Sequence, residues 1–477
     1  MPSKMSSDLE IQVLNSKLIK PSNPTPPHLQ KLYLSLFDQL VPPVYFSIIL
    51  YYSGPPPSPA DDRSVPTIAE TRARLEKTLS EELPSFFPLA GRFIQDDFSI
   101  DCNDQGVAYS EAQVSSKLSD FLRQGPRIEY LDKLLPWESP PASKSDASPL
   151  LGIQVNTFDC GSLVLGISIS HIIADAASLG QFLNSWARSS QNCSEMAFYP
   201  SPNFHHDIAV LFPARTSAED KATLPLPPTP KPKELQSNNS PDKIVTTRLL
   251  FGQETITKIK ENAAKSKGPD SSISDIKSSK VVIALALLWK SFMSLAAGKH
   301  GYTRDSVIAI AMNIRGKLSL QIPETCFGNF CVSIVVPFEA NKNGNKLPEV
   351  YDLISLLTEA IRDMNNRIYK AKTVEEVSSI LIESRRGLTQ IWDQERNRLI
   401  DVYRTSSWRG FPLYEVDFGW GKPFWTSVAT QWGQGVWLMD ANNGDGIEVW
   451  VSLKEEDMAE FKRNPDILAL PVPTSVV

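Results

Sequence analysis

The stretch SISHIIADAASLG, residues 168–180, ends a strand-like run in a histidine, His171, and places an aspartate, Asp175, four positions later. An imidazole has an ordinary pKa near 6.5, so at neutral pH it is mostly uncharged and able to accept a proton. The residue types leave three readings of His171: a buried histidine bonded to backbone, a proton acceptor held where a substrate can reach it, or half of a metal-ligand pair with Asp175. The last needs two further ligands, and none is evident in the neighbouring sequence, so no metal is expected. Asp175 likewise has three readings: a capping acid in the first turn of a helix, an orienter of the histidine, or a buried carboxylate paired with an arginine. A second candidate stretch, SSWRGFPLYEVDFGWGKPFW at 406–425, sets Asp417, Gly419 and Gly421 among aromatic residues. By composition it is either a rigid aromatic loop or part of a site.

Absent motifs narrow the chemistry. The 477 residues contain no G-x-x-x-x-G-K-[ST], no G-x-S-x-G and no H-E-x-x-H, and the G-x-G pairs lack a third glycine. With 48 basic and 54 acidic side chains the formal charge is −6, and no run of either sign is long. Nucleic-acid binding, which needs a concentrated basic face, is therefore not expected. The N-terminus lacks the apolar segment of a secretory signal. The most apolar run, VVIALALLWKSFMSLAA at 281–297, is broken by Lys290 and reads as a core helix, so no membrane partner is expected. Five cysteines, odd in number and without a C-x-x-C pair, fit a reducing compartment, with the cytosol as the expected location.

The elements that must position these residues follow from periodicity. YFSIILYY (45–52) and GSLVLGISIS (161–170) read as strands, and TIAETRARLEKTLSEEL (67–83) as a helix. ADAASLGQFLNSWARSS has helical apolar spacing at Leu179, Phe182, Leu183 and Trp186. In the second half, SVIAIAMNIRG and NFCVSIVVPF read as strands and YDLISLLTEAIRDMNNRIYKA as an amphipathic helix. GVWLMDANNGDGIEVWVSL reads as a hairpin whose Asn/Gly-rich turn supplies positive φ values. Prolines cluster in SGPPPSPADD (53–62), a surface loop, and in the polar stretch from 216, which reads as a crossover. Strands interleaved with helices give an α/β class with mixed sheets. The expected division is a domain at 1–215 carrying H-x-x-x-D, a linker at 216–245, and a domain at 246–477 carrying D-F-G-W-G.

Taken together, H-x-x-x-D at 171–175 and DFGWG at 417–421 resemble the plant BAHD acyltransferases, which use coenzyme A thioesters. The resemblance covers nearly the whole chain. IKPSNPTPP, LSLFDQL and LPSFFPLAGRF, then NIRG (313–316), FGNF (327–330) and GDGIEVWVSLKEEDMAEF, fall in the family's order. PPHLQKLYLSLFDQLVPPVYFSIILYY and FDCGSLVLGISISHIIADAASLGQFLNSWA look most like the alkaloid-acetylating branch. Ala176 stands where the family's commonest pattern has glycine, as in that branch, and Ile172 where those relatives usually carry lysine.

The resemblance implies two chloramphenicol-acetyltransferase-like domains joined by a long crossover, with a channel between them open to acyl-CoA on one side and to the acceptor on the other. It implies that His171 is the general base, that Asp175 points away to pair with Arg315 of NIRG, and that the loop with Asp417, Gly419 and Gly421 is structural. Ser406 and Trp408 match an element that holds the oxyanion in some members. The expected reaction is acetyl transfer from acetyl-CoA to a hydroxyl of an alkaloid or similar specialised metabolite, in a ternary complex without an acyl-enzyme and with no permanently bound cofactor. N-acylation, a larger acyl group, or a non-catalytic metabolite binder are the alternatives. For the coenzyme's phosphates, Ser278, Ser279 and Lys280 at the start of the apolar helix are candidates, and Asn329 of FGNF is expected to face the pantetheine arm. By analogy with relatives the protein is expected to be a monomer.

Overall fold

The computed structural model describes residues 9–54, 67–123, 128–137, 141, 146–191, 206–217, 219–220, 224–225, 243–267, 276–320, 322–429, 434–442, 444 and 446–471. The proline-rich loop at 55–62, most of the expected crossover and Cys193 lie outside the described residues.

Six strands form a first mixed sheet in the order Ile11–Ile19 (β1), Val107–Val114 (β6), Leu151–Phe158 (β7), Leu163–Ser170 (β8), Tyr45–Tyr52 (β3) and Trp425–Ala429 (β13). A second mixed sheet runs Cys331–Phe338 (β11), Ser306–Asn313 (β10), Asp401–Ser407 (β12), Gly435–Asp440 (β14), Ile447–Lys454 (β15) and Ile244–Phe251 (β9). Lys31–Tyr33 (β2), Ser99–Asp101 (β5) and Arg92–Ile94 (β4) make a small third sheet. Strands β3, β7 and β8 are buried at every position. That is why their sequences read as unbroken apolar runs rather than alternations: both faces of the sheet are covered. The antiparallel β14–β15 pair is the expected hairpin, and Gly444 in its turn has φ 74°.

Each large sheet has its own core, and the apolar run from 281 lies in the second. It forms the helix Lys280–His300, in which Val282 through Trp289 are all buried, while Lys290 emerges to bond Glu349 at 2.9 Å. Among the described residues it is the one helix long and apolar enough to cross a membrane, and it is mostly covered by protein.

The two halves exchange segments. Strand β13, from the C-terminal half, pairs antiparallel with β3 along Trp425↔Tyr51 to Ala429↔Ser47. In return, Leu36, Phe37 and Leu40 of the N-terminal half are buried in the core of the second sheet. Strand β9 begins at Ile244, inside the expected 216–245 linker, and β13 joins the first sheet from the C-terminal half.

The seam between the sheets holds a buried acid. Glu448 on β15 accepts the indole N–H groups of Trp450 at 2.9 Å and Trp425 at 3.2 Å, and Arg248 lies 3.5 Å away. Burial pushes the Glu448 carboxyl from 4.5 up to about 7, against the pull of Arg248. The folded protein then holds a proton that the unfolded chain releases above pH 4.5, so stability falls as pH rises from 4.5 through 7, by up to about 3 kcal/mol for this group. A glutamine cannot titrate. The unfolding free energy of Glu448→Gln relative to the parent should thus rise by that amount between pH 4.5 and 8, read by urea denaturation at several pH values. A difference that stays flat across this range would show that Glu448 is ionised throughout.

Candidate active site

Strand β8 delivers His171 at its C-terminal end. The β8–β3 register brings Ser170 opposite Tyr45, and the His171 amide then donates to the Val44 carbonyl at 2.7 Å, carrying the pairing one step past the strand. The chain turns there, with the Ile173 amide bonded to the Ser170 carbonyl. The imidazole lies edge-on to Phe46, ring centroids 5.0 Å apart, and Phe46 in turn meets Trp408 at 5.6 Å.

Behind the imidazole stands a chain of fixed hydrogen bonds. His171 Nδ1 is 2.9 Å from Asn329 Oδ1, while Asn329 Nδ2 donates to the His171 carbonyl at 2.8 Å and to Asp38 Oδ1 at 2.9 Å. The Asn329 backbone N–H donates to the same Asp38 oxygen at 2.9 Å, and the second Asp38 oxygen accepts from the Ser35 amide and hydroxyl at 2.9 and 2.7 Å. Burial raises the Asp38 carboxyl, a rise these donors oppose. Two acceptors face the Asn329 amide nitrogen, so its oxygen must point at the ring. An oxygen that only accepts requires a proton on Nδ1. In the neutral ring, Nε2 is then left with the lone pair. Burial also lowers the His171 pKa, more than Asp175 and Asn329 raise it, which favours that neutral form.

This placement corrects the expectation for Asn329. It is 1% exposed, with every polar side-chain atom committed, and it supports the histidine instead of facing a pantetheine arm. Asp38 was not singled out by the sequence. Its only local signal is the S-x-x-D spacing of a capping box, which Ser35 and Asp38 do form on the helix Leu36–Gln39.

Asp175 combines two of its three readings. It is the N-cap of the helix Ala176–Ser189, accepting the Ser178 amide at 2.9 Å, and its other oxygen accepts from Arg315 Nη1 at 2.6 Å and the Phe330 amide at 3.1 Å. Burial alone would raise this carboxyl, but Arg315 and the two amides hold it below the ordinary range. With its oxygens committed in this way, Asp175 neither orients His171 nor serves as half of a metal pair. Arg315 is as fully engaged: Nη2 donates to the Ser178 hydroxyl at 3.0 Å and the Gly328 carbonyl at 2.8 Å, and its guanidinium stacks over Phe330 at 4.7 Å. The pair thus ties NIRG and FGNF of the second half to the helix that follows the histidine. Gly328, at φ 132°, sits in a region closed to other residues, and a Cβ there would lie 3.4 Å from Asp38 Oδ1.

His171 lines a cavity of about 730 Å³ whose walls come from both halves of the chain, including Val41, Val44 and Phe46 on one side and Ala309, Ser333 and Leu388 on the other. Ser406 and Trp408 line it too, from the end of β12. The Trp408 indole N–H is spent on Ser406 Oγ, at 3.1 Å, so the tryptophan orients the serine, and the hydroxyl is the donor left for a ligand. Cys331 also reaches the cavity, unforeseen from sequence. Burial pushes its thiol up to about 12, so it stays protonated and a poor nucleophile.

Other expected residues lie away from this cavity. Asp417 Oδ1 accepts the amides of Gly419 at 2.7 Å and Gly421 at 3.0 Å, and both glycines have positive φ, 99° and 111°. Phe418, just before Gly419, is fully buried against Trp186, and its carbonyl accepts from Ser190 at the end of the 176–189 helix. The loop is a clasp that turns the chain into β13. Of the phosphate candidates, Ser279 caps the 280–300 helix through the Val282 amide, Ser278 bonds Thr358 at 2.8 Å, and Lys280 opens the helix; none of the three lines the cavity.

His171 thus stands in the wall of a cavity to which both mixed sheets contribute. The Transferase family model matches residues 9–468. An acetyl-CoA-benzylalcohol acetyltransferase of Clarkia breweri is 33% identical, covering 97% of this chain and 99% of its own length. Stemmadenine O-acetyltransferase of Catharanthus roseus is 32% identical over 97% of this chain and 98% of its own. The crystal structure of vinorine synthase superposes with a TM-score of 0.77 at 28% identity, covering 98% of this chain and all of that one. The chain belongs to the Transferase family, the BAHD acyltransferases, and is an acyltransferase with that family's two-domain fold.

Proposed function

We propose that the protein transfers an acyl group, acetyl above all, from coenzyme A to a hydroxyl of an alkaloid or similar plant specialised metabolite, with His171 as general base. One observation carries the reading: the Asp38–Asn329 support leaves the lone pair of His171 on Nε2, the nitrogen not taken up behind the ring. The acetyl donor and the hydroxyl acceptor are supported by the names of the Clarkia and Catharanthus relatives.

In this mechanism the acceptor hydroxyl gives its proton to Nε2 as its oxygen attacks the thioester carbonyl. The Ser406 hydroxyl, held by Trp408, donates to the oxyanion. Collapse of the tetrahedral adduct breaks the C–S bond, and the imidazolium returns the proton to the leaving thiolate. A base of this kind contributes roughly 10²–10⁴-fold, and an oxyanion donor about 2.7–4 kcal/mol. Direct transfer is favoured over an acyl-enzyme because the thiol at the cavity wall, Cys331, is held protonated. Incubating the protein with acetyl-CoA and a panel of alcohols and amines tests the reading. Thiol release that depends on an alcohol is expected; release with amines alone, or none with any acceptor, contradicts it.

The support behind the ring has its own signature. Asn329→Ala should lower kcat by about 10- to 100-fold with KM little changed, because the tautomer and the ring angle are no longer fixed. Its kcat–pH profile should also shift from the parent's. An unshifted profile with parental kcat would remove Asn329 from this role.

A further inference from the structure

The helix Val374–Arg396 lays one face along the cavity, with Leu381, Ser384, Arg385, Leu388 and Trp392 at helical spacing. Arg385 is the anomaly on that face. It is 5% exposed; its Nε donates to the Pro225 carbonyl at 3.2 Å, and its guanidinium carbon lies 4.4 Å from the centre of the Trp392 ring. Nη2 is buried and has no partner, and among the described residues no carboxylate pairs with this arginine. The two acids that line the cavity are committed elsewhere: Asp175 to Arg315, and Glu395 to Arg404. Burial pushes the Arg385 guanidinium down to about 10, which still leaves it cationic at neutral pH.

A buried charge without a counter-charge is costly, and a ring face compensates only part of that cost. The missing partner fits a ligand. We infer that Arg385 receives a carbonyl or carboxylate oxygen borne by the acyl acceptor, so that the cavity selects alcohols carrying such an oxygen and disfavours those presenting an ammonium group there. The inference rests on the transferase reading above. It narrows the acceptor class: an alkaloid would enter with its amine turned away from Arg385 and an ester, ketone or acid turned toward it. At the cavity wall, where Asp175 and Glu395 are already paired, a carboxylate meeting the Arg385 guanidinium gains a charge-assisted hydrogen bond that a plain hydrocarbon forgoes.

The test uses the full-length chain, the parent against Arg385→Met and Arg385→Lys, and three matched alcohols: 4-(hydroxymethyl)benzoate, benzyl alcohol and 4-(aminomethyl)benzyl alcohol. Calorimetry should show the benzoate binding the parent about 10- to 100-fold more tightly than benzyl alcohol, with the ammonium compound weakest. Arg385→Met should abolish the benzoate's advantage while leaving benzyl alcohol within about threefold, and Arg385→Lys should restore part of it. Without ligand, Arg385→Met should melt no lower than the parent, since its stem still packs on Trp392 while the unpaired charge is gone. Equal affinities for the three alcohols, a benzoate advantage that survives Arg385→Met, or no binding of any probe overturns the inference. A parallel comparison of acetyl-CoA with malonyl-CoA, using benzyl alcohol as acceptor, covers the other source of such an oxygen. A loss in Arg385→Met confined to malonyl-CoA places the oxygen on the acyl group and overturns its assignment to the acceptor. Thiol release judges the transferase reading separately: release without benzoate preference sinks this inference alone, and preference without release sinks the transferase reading alone.

Discussion

Replacing His171 by alanine should lower kcat/KM for acyl transfer by about 10³-fold or more, with the melting temperature close to the parent's. The size follows from what is removed. General-base assistance is worth roughly 10²–10⁴-fold, and the alternative base, water, lacks the orientation that Asn329 gives the ring. Folding should survive because the anchoring at this corner is made by the His171 backbone, whose amide bonds Val44 and whose carbonyl accepts from Asn329, and an alanine keeps both. The parent's pH profile carries a further sign. The base works when neutral, and burial lowers its pKa below 6.5. The rate should therefore hold constant on acidification past pH 6.5 and fall only through the lowered pKa. Steady-state kinetics of the parent and His171→Ala from pH 5 to 8 decide both points. A variant retaining most of the activity would mean that another group takes the proton.

The second large effect is on stability. Asp175→Ala should cost about 3–5 kcal/mol, the usual penalty for removing one partner of a buried ion pair. Side chains 9% and 12% exposed have little water to turn to, so Arg315 is left charged and uncompensated, and the 176–189 helix also loses its cap. Since whole-domain stabilities are commonly about 5–15 kcal/mol, the variant should be near its folding threshold at 37 °C. Activity should fall with it, because Arg315 and Asp175 hold the FGNF loop whose Asn329 supports the imidazole. Removing both charges, in Asp175→Ala/Arg315→Ala, should cost less than the sum of the two single changes, since neither leaves the other stranded. Urea denaturation of the four proteins measures the coupling. Additive losses, or a single variant as stable as the parent, would show that the pair carries no such energy.

Much of this architecture was legible in the sequence, and the reasons differ by residue. Strands β3 and β8 were readable because sheets covered on both faces need unbroken apolar runs, and the 176–189 helix because Leu179, Phe182, Leu183 and Trp186 share the face that became buried. His171 was placed correctly at a strand end, and the Asp175–Arg315 pairing came from the resemblance. What spacing could not reveal were partners brought together only by the tertiary fold. Asn329 lies 158 positions from His171, and Asp38 lies 291 from Asn329. The carboxamide's orientation depends on that distant carboxylate, which is why Asn329 was misplaced toward the coenzyme. Arg385 did leave a trace: a charged residue four positions after Leu381 and three before Leu388, on the apolar stripe of an otherwise amphipathic helix. A charge on such a stripe points to burial, though not to what it binds.

Strand β13 has a consequence for how this chain is made. Tyr51 meets Ser427 across 376 positions of sequence. A ribosome therefore exposes the β3 edge through nearly the whole of synthesis before its native neighbour emerges. An open edge of this kind is a template for wrong pairings, so the late-arriving strand is what finally withdraws it from intermolecular contact. Contacts of such length also slow folding, and truncation before residue 425 would leave the first sheet permanently unfinished.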